Sequence, residues 1–405
     1  MLRIPTLDDV KNAAELLSGK INKTELLYST TFSRMFGCDL FFKMENHQKT
    51  GSFKARGALT KMSKLTQEEK ERGVITASSG NHAQGVAYAA FVNRVDAKIV
   101  MPQYSVPAKV TAVQGYGAKI VLKGNDYSEA KTYADEIAKE EKRVFIEAFN
   151  DPYVIAGQGT VGLEIMQERS DIDTIIVPVG GGGLISGIAI AAKGIKPSVK
   201  IIGVESELSD SMLRSIEEGR IIPHTSGDSI ADGISVKYPG ELTFEVARKY
   251  VDQIVTVSDE AIGYAIYKLL ERSKTVVEPS GAAGLAAILD GKIDVKGRKV
   301  AVVLSGGNIN FLLLSKIIYK SMEMEDKLVR IEFNIPDRPG TLNRISGEIF
   351  ASGGNVFHAE VDNLAHDTPV GYQNIVFSIN LRDRTHLDDL IGRIDKLGYR
   401  YRIVK

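Results

Sequence analysis

Between Val74 and Leu304 the chain repeats one unit: a short, continuously apolar segment, a turn of small polar residues, and a helical stretch. Val74-Ile75-Thr76-Ala77 runs into Ser78-Ser79-Gly80-Asn81. Lys98-Ile99-Val100-Met101 precedes Ser105 and a proline, Pro107, at a helix start. Ala118 to Leu122 and Arg143 to Ile146 flank a helix expected over 128–140. Asp173-Thr174-Ile175-Ile176-Val177-Pro178-Val179 leads into Gly180-Gly181-Gly182-Gly183-Leu184, Lys200-Ile201-Ile202-Gly203-Val204 follows, and Lys299-Val300-Ala301-Val302-Val303-Leu304 runs into Ser305-Gly306-Gly307-Asn308. Strands that are apolar on both faces belong to parallel sheets covered by helices on both sides. Such sheets take ligands at the carboxyl ends of their strands, where these turns fall. The spacing therefore predicts an α/β body with its chemistry in the turns. Upstream, Thr6-Leu7-Asp8-Asp9 has the form of a capping box, and Leu40-Phe41-Phe42-Lys43-Met44 reads as one more strand.

After Lys316 the pattern changes. Leu328 to Phe333, Val356 to Val361 and Gln373 to Ile379 alternate strictly between apolar and polar, as strands covered on one face do. Helices are expected over 343–352 and around Leu387, Leu390, Ile391 and Ile394, and Tyr399 to Val404 closes the chain. The order is βαββαβ, that of a ferredoxin-like fold, in about 80 residues, enough for a separate domain. The expected layout is a main domain over 1–320, a connector over 321–327 and a second domain over 328–405.

Lys and Arg number 51 and Asp and Glu 51 in 405 residues, so no global field draws in nucleic acid or an anionic membrane. Acid stands near the N-terminus where a signal peptide has base, and no apolar run is long enough to span a bilayer. The single cysteine, Cys38, forms no internal disulfide and no cysteine zinc cage. These features predict a cytoplasmic, soluble protein.

Within that frame a few side chains stand out. Lys54 follows the polar loop Glu45 to Ser52 and sits near the start of a helix, with Phe53 before it and Ala55, Gly57 and Ala58 after it. A partly buried amine there loses its proton readily and forms a Schiff base with an aldehyde. The four glycines 180–183, between a strand and a helix, leave their backbone N–H groups free to close around a phosphate. Their spacing is neither a Walker loop nor a dinucleotide fingerprint. Ser78, Ser79, Asn81 and His82 offer hydroxyls, an amide and a helix start to a carboxylate. Ser305 offers a hydroxyl at a strand end, and Glu278 a carboxylate in a turn. A phosphate cradle, an amine nucleophile and a hydroxyl acceptor together suit pyridoxal phosphate.

The motifs Ser52-Phe53-Lys54-Ala55-Arg56-Gly57-Ala58, Ser79-Gly80-Asn81-His82-Ala83-Gln84-Gly85, Gly180 to Leu184 and Ser305-Gly306-Gly307-Asn308 resemble, in order, those of the threonine dehydratases. These belong to the tryptophan-synthase-β-like class, fold type II, of pyridoxal-phosphate enzymes. The tail, with Asp337-Arg338-Pro339-Gly340-Thr341-Leu342, resembles an ACT regulatory domain. The resemblance implies a two-lobed catalytic domain with the small lobe over about 46–144 inserted in the large one. It implies that Lys54 holds the cofactor and removes the substrate α-proton, that Phe53 packs against the ring and that Asn81 bonds the ring 3-oxygen. Gly180, Gly181, Gly182, Gly183 and Leu184 would bind the phosphate, and Ser305 would face the ring nitrogen. A serine there, unlike an aspartate, does not keep that nitrogen protonated, which favours rapid loss of a β-hydroxyl over a long-lived carbanion. Ser78, Ser79, Asn81 and His82 would lie at the substrate carboxylate. The implied reaction turns L-threonine into 2-oxobutanoate and ammonia, and L-serine into pyruvate. An amino-acid effector and a homodimer or homotetramer are implied by the tail.

Two positions depart from the pattern. Ser79 stands where many threonine dehydratases have alanine, and resembles the second base of serine racemases, opposed to Lys54. That makes racemisation the alternative. Racemase-like relatives also bind a divalent cation through a glutamate and a nearby acid; here Glu205 is followed by Asp210 and Ser211, so the metal stays open. A non-enzymatic amino-acid sensor and a cysteine-synthase-like replacement enzyme are further readings, disfavoured by intact Lys54 and by the Ser305 motif.

Overall fold

The computed structural model describes residues 3–223, 229–362 and 368–404. It falls into two compact units, Met1–Asn310 and Phe311–Lys405. The first contains β1 (Leu26–Tyr28), β2 (Asp39–Lys43), β3 (Val74–Ala77), β4 (Ala97–Met101), β5 (Lys119–Leu122), β6 (Val144–Phe145), β7 (Thr174–Pro178), β8 (Lys200–Ser206), β9 (Gln253–Val257) and β10 (Lys299–Val303).

These strands form two sheets. A six-stranded sheet has the order β1-β2-β10-β7-β8-β9, and a four-stranded one the order β5-β4-β3-β6. All pairs are parallel except β1 with β2. Every residue of β7 is buried, and Ile175, Ile176 and Val177 are wholly so, as expected for a strand roofed on both faces. The antiparallel β1 departs from the all-parallel expectation. It is a short edge strand with Leu27 and Tyr28 half exposed, the kind of blunt edge that does not recruit further strands. The arrangement brings β2 and β10 side by side in parallel, Phe42 opposite Val302, so the loops that follow them emerge at the same end.

Helix starts follow local chemistry. Thr6 and Asp9 form the capping box, Ser258 caps Asp259–Lys268, and Pro107 opens Pro107–Gln114. The helix expected over 128–140 runs from Tyr127 to Glu140, with Asp126 as its cap.

In the second unit the helix Phe311–Met324 precedes β11 (Leu328–Pro336), helix Thr341–Ser352, β12 (Asn355–Asp362), β13 (Tyr372–Asn380), helix Arg384–Asp395 and β14 (Arg400–Val404). The four strands form an antiparallel sheet in the order β12-β13-β11-β14, over a core of Ile331, Phe333, Ile345, Phe377 and Leu390. The connector expected over 321–327 is helical as far as Met324, because the apolar run from Phe311 carries a helix that buries Ile317 and Ser321. Among the described residues no helix is long and apolar enough to cross a membrane.

Candidate active site

The lysine loop is stitched to the Ser305 loop by backbone bonds. The Phe53 N–H donates to the Ser305 carbonyl at 3.1 Å, the Gly307 N–H donates to Gly51 at 2.9 Å, and Ser52 forms a bridge with Gly306. Gly51 takes φ +69°, and a Cβ there would lie 2.6 Å from Asn308 Oδ1, so only glycine fits this turn. Lys54 is the first residue of the helix Lys54–Ser63. Its Nζ donates to the Ala148 carbonyl at 3.1 Å and lies 5.1 Å from the centre of the Phe53 ring. Burial pulls the amine down to about 8, against the opposing pull of Glu278. Among the described residues no ion pair is made by this lysine, so about a tenth of it is neutral and nucleophilic at pH 7, far more than of a solvated lysine.

The helix Asn81–Asn93 crosses the start of the lysine helix at backbone contact: a Cβ on Gly85 would lie 3.0 Å from the Lys54 carbonyl carbon. That contact sets Asn81 beside the lysine loop. Asn81 Nδ2 donates to Glu278 Oε1 at 2.6 Å, and its Oδ1 accepts from Asn308 Nδ2 at 2.7 Å. Asn308 Nδ2 also donates to the Thr50 carbonyl. Glu278, with its backbone N–H on Gly306, is buried; burial pushes its carboxyl up to about 7, Asp232 adds to the rise and Asn81 opposes it. Four separate loops, at 50, 81, 278 and 306–308, thus meet in one hydrogen-bonded chain.

The glycine loop opens the helix Gly183–Ile195. Gly182 is in the left-handed region at φ +86°, and no side chain caps the helix. The leading N–H groups therefore point outward unclaimed by any capping side chain, which is what a phosphate requires. Side chains are excluded from the loop on every side. A Cβ on Gly181 would meet the Phe149 ring at 2.3 Å, and one on Gly182 would meet Met212 at 2.5 Å. Thr243 Oγ1 pins the loop through the Gly181 carbonyl at 2.6 Å. Behind it, Gln158 Oε1 is buried without a protein partner. A cradle that only glycine permits, a helix start without a cap and a lysine that gives up its proton readily fit pyridoxal phosphate.

The remaining candidates fall as follows. Phe53 packs against the large-sheet core, and Leu184 and Ser305 are buried. Ser78 and Ser79 are half-buried on the turn after β3, where Ser78 Oγ accepts from the Gly80 N–H. His82 is committed elsewhere: its Nε2 bonds the Ile146 carbonyl at 3.0 Å, and burial lowers it to about 3, so the ring is neutral. Glu205 accepts the N–H groups of Met212 and Leu213 at 3.0 and 2.8 Å, and burial raises it to about 8. Ser211 Oγ bonds Val236, and among the described residues no group of three or more metal-ligating side chains occurs.

Glu278 was one candidate among several in the sequence; its burial and its bond to Asn81 make it central here. Gln158 carried no signal beyond its place in an apolar helix.

A family model described as pyridoxal-phosphate dependent enzyme matches residues 17–306. An L-threonine ammonia-lyase of Thermotoga maritima is 45% identical over 399 residues, covering 98% of this chain and 99% of that protein. The catabolic L-threonine dehydratase of Escherichia coli K12 is 45% identical over 313 residues, 77% of this chain and 95% of that protein. Among solved structures, maize serine racemase superposes with TM-score 0.75 at 38% identity, covering 80% of this chain and 99% of that one. With a lysine amine, an uncapped glycine loop and a family match that spans them both, this chain belongs to the pyridoxal-phosphate-dependent enzymes.

Proposed function

We propose that this enzyme deaminates L-threonine to 2-oxobutanoate and ammonia, and L-serine to pyruvate. The observation that carries the reading is the Lys54 amine, half-buried on a lone carbonyl acceptor beside the helix that starts at Asn81 and follows the 78–80 turn. The full-length similarity to an L-threonine ammonia-lyase selects the substrate. When bound, pyridoxal phosphate supplies an aldehyde for amines and an electron sink for the bonds at Cα. Lys54 is the group that takes the α-proton, and its lowered proton affinity keeps it ready for that at neutral pH. The N–H groups of 180–184 would hold the phosphate, Phe53 would flank the ring, and Asn81, held by Glu278 and Asn308, would bond the ring oxygen. Ser305 would offer the ring nitrogen a neutral hydroxyl. Ser78, Ser79 and the Asn81 backbone, at a helix start, receive the substrate carboxylate; neutral His82 holds that helix to Ile146. The α-proton and the β-hydroxyl leave together as one water, and the released enamine takes up one water to give the keto acid and ammonia.

A second reading, racemisation with Lys54 and Ser79 as opposed bases, draws support from Ser79 on this turn and from the similarity to maize serine racemase. Proton NMR of the enzyme with L-threonine or L-serine in deuterium oxide separates the two. Appearance of 2-oxobutanoate or pyruvate supports elimination, whereas deuterated substrate and its α-epimer without keto acid would replace it by racemisation.

Residues 328–405 are proposed to be an ACT-like regulatory module that pairs with a second copy and takes an amino-acid effector at the Pro339–Gly340 turn. In support, Gly340 takes φ +87° and opens helix Thr341–Ser352 without a side-chain cap, and β12 exposes Phe357 and Val361. The Escherichia coli relative is covered to 95% by 313 residues, so elimination does not require this module in every relative. Removal of residues after 325 is expected to abolish amino-acid control and reduce assembly size while leaving elimination in place. Unchanged kinetics and assembly would remove the proposal.

A further inference from the structure

The helix Pro152–Glu168 is pressed between two neighbours at backbone contact. A Cβ on Gly157 would lie 2.6 Å from the Arg56 carbonyl in the lysine helix. A Cβ on Gly187, in the helix that the glycine loop opens, would lie 2.4 Å from the Ile155 carbonyl and 2.5 Å from the Gly159 nitrogen. Gln158 stands between those two glycine contacts and is 1% exposed. Its Nε2 donates to the Ala148 carbonyl at 3.3 Å, the same oxygen that receives Lys54 Nζ at 3.1 Å. The orientation of the amide follows from that contact, since a carbonyl can only accept. The other end, Oε1, is buried without a protein partner, and a Cβ on Gly183 would lie 2.5 Å from it. Unmet buried acceptors are rare in packed interiors, and a side chain serving only to fill space here would be apolar.

We propose that Gln158 is a positioning residue that ties the lysine amine to the phosphate loop through one amide. Its donor end fixes the carbonyl on which the Lys54 amine rests whenever that amine is free. By sharing this carbonyl it weakens the carbonyl's hold on the charged amine. Its acceptor end, without a protein donor, abuts the Gly183 end of the loop and limits how far that backbone can shift. The inference rests on the functional reading above.

The test compares wild type with Gln158→Met, which keeps the shape without hydrogen bonds, and Gln158→Glu, which removes the donor and adds charge. Three quantities are read on the full-length chain: unfolding temperature, equilibrium affinity for added pyridoxal phosphate from its visible absorbance, and the pH midpoint of the uptake rate. In Gln158→Met the affinity is expected to fall roughly 3- to 10-fold, the range of one net hydrogen bond, with the midpoint raised. In Gln158→Glu the midpoint rises further, because an anion beside the amine favours its charged form, and uptake at neutral pH slows about tenfold per unit of that rise. Unchanged affinity and midpoint in both variants, with a native unfolding temperature, overturns the proposal. So does a loss of unfolding temperature alone in Gln158→Met, or a midpoint shift confined to Gln158→Glu, since the new charge then explains it. If wild type takes up no pyridoxal phosphate, the functional reading itself falls, and this inference with it.

Discussion

Lys43 and Lys54 flank the same loop, and both are withdrawn from solvent, yet their surroundings differ. Lys43, wholly buried at the end of β2, donates to Glu164 at 2.5 Å and to the Thr24 carbonyl at 2.7 Å. Beside it Arg56 grips both oxygens of Glu45, at 2.7 and 2.8 Å, and reaches Glu164 and Thr160. Two cations and two carboxylates balance there, and Thr24 bonds Glu45. Coulombic attraction and hydrogen bonds to Arg56 overcome burial and hold Glu45 below the usual carboxylate range. Lys54 has a carbonyl and, at longer range, a buried Glu278 that is itself half-neutral near pH 7. Two lysines drawn in from solvent, Lys43 wholly and Lys54 in part, therefore take up opposite chemistry. A cation with a bound carboxylate is fixed as structure, and one with only a dipole becomes a base.

The contrast can be broken from either side. Lys54→Met is expected to lower deamination by at least about 10³-fold, the loss of a positioned base, with the fold intact by circular dichroism. Residual turnover near wild type would remove Lys54 from the chemistry. Arg56→Met leaves Glu45 and Glu164 short of their shared partner, and an unfolding loss of about 3–5 kcal/mol is expected in denaturant titration. Lys43→Met should cost less, about 1–3 kcal/mol, because Glu164 keeps Arg56 and has 14% side-chain exposure. If Lys43→Met proved the more damaging of the two, the hierarchy within the cluster would be inverted. The most gradual effect is in pH. Lys54 in the cofactor-free protein has its proton affinity lowered from 10.5 to about 8. The unfolded chain then binds more protons between those values, so stability rises with pH across that window, by no more than about 1.4 kcal/mol per unit. Lys54→Met should lack this rise in stability curves taken at pH 7 to 10; a parallel curve would mean the amine is not perturbed.

What could be read from the sequence was local. Lys54, the 180–183 glycines and Ser305 each sit in a contiguous strand–turn–helix signal, so their placement at strand ends follows from pattern alone. Arg56 and Glu164 are far apart in the chain, and nothing in either segment announces the other. Glu278 before Pro279 reads equally as a surface turn; only folding brings Asn81 to it. β9 leaves no mark in the sequence, because Gln253–Val257 is short and only its last residue is fully buried. The π-helical turn Leu269–Ser273, continuing Asp259–Lys268, likewise has no composition of its own. The charge of 321–327 suggests a connector, but the apolar side of the helix before it carries that helix on to Met324.

The strand order of the large sheet also has a consequence for synthesis. β10, formed by 299–303, lies between β2 and β7, so the middle of the sheet stays open until nearly all of the first unit has left the ribosome. Until then the carboxyl end of β2 has no neighbouring Ser305 loop to hold the lysine loop, and β2 and β7 present unpaired edges. The nascent chain passes through a stage with its most apolar strands uncapped, the stage at which chaperones are most needed. Lys54 takes its working position only when that last strand docks, so a chain halted before β10 carries the reactive lysine without a site to use it.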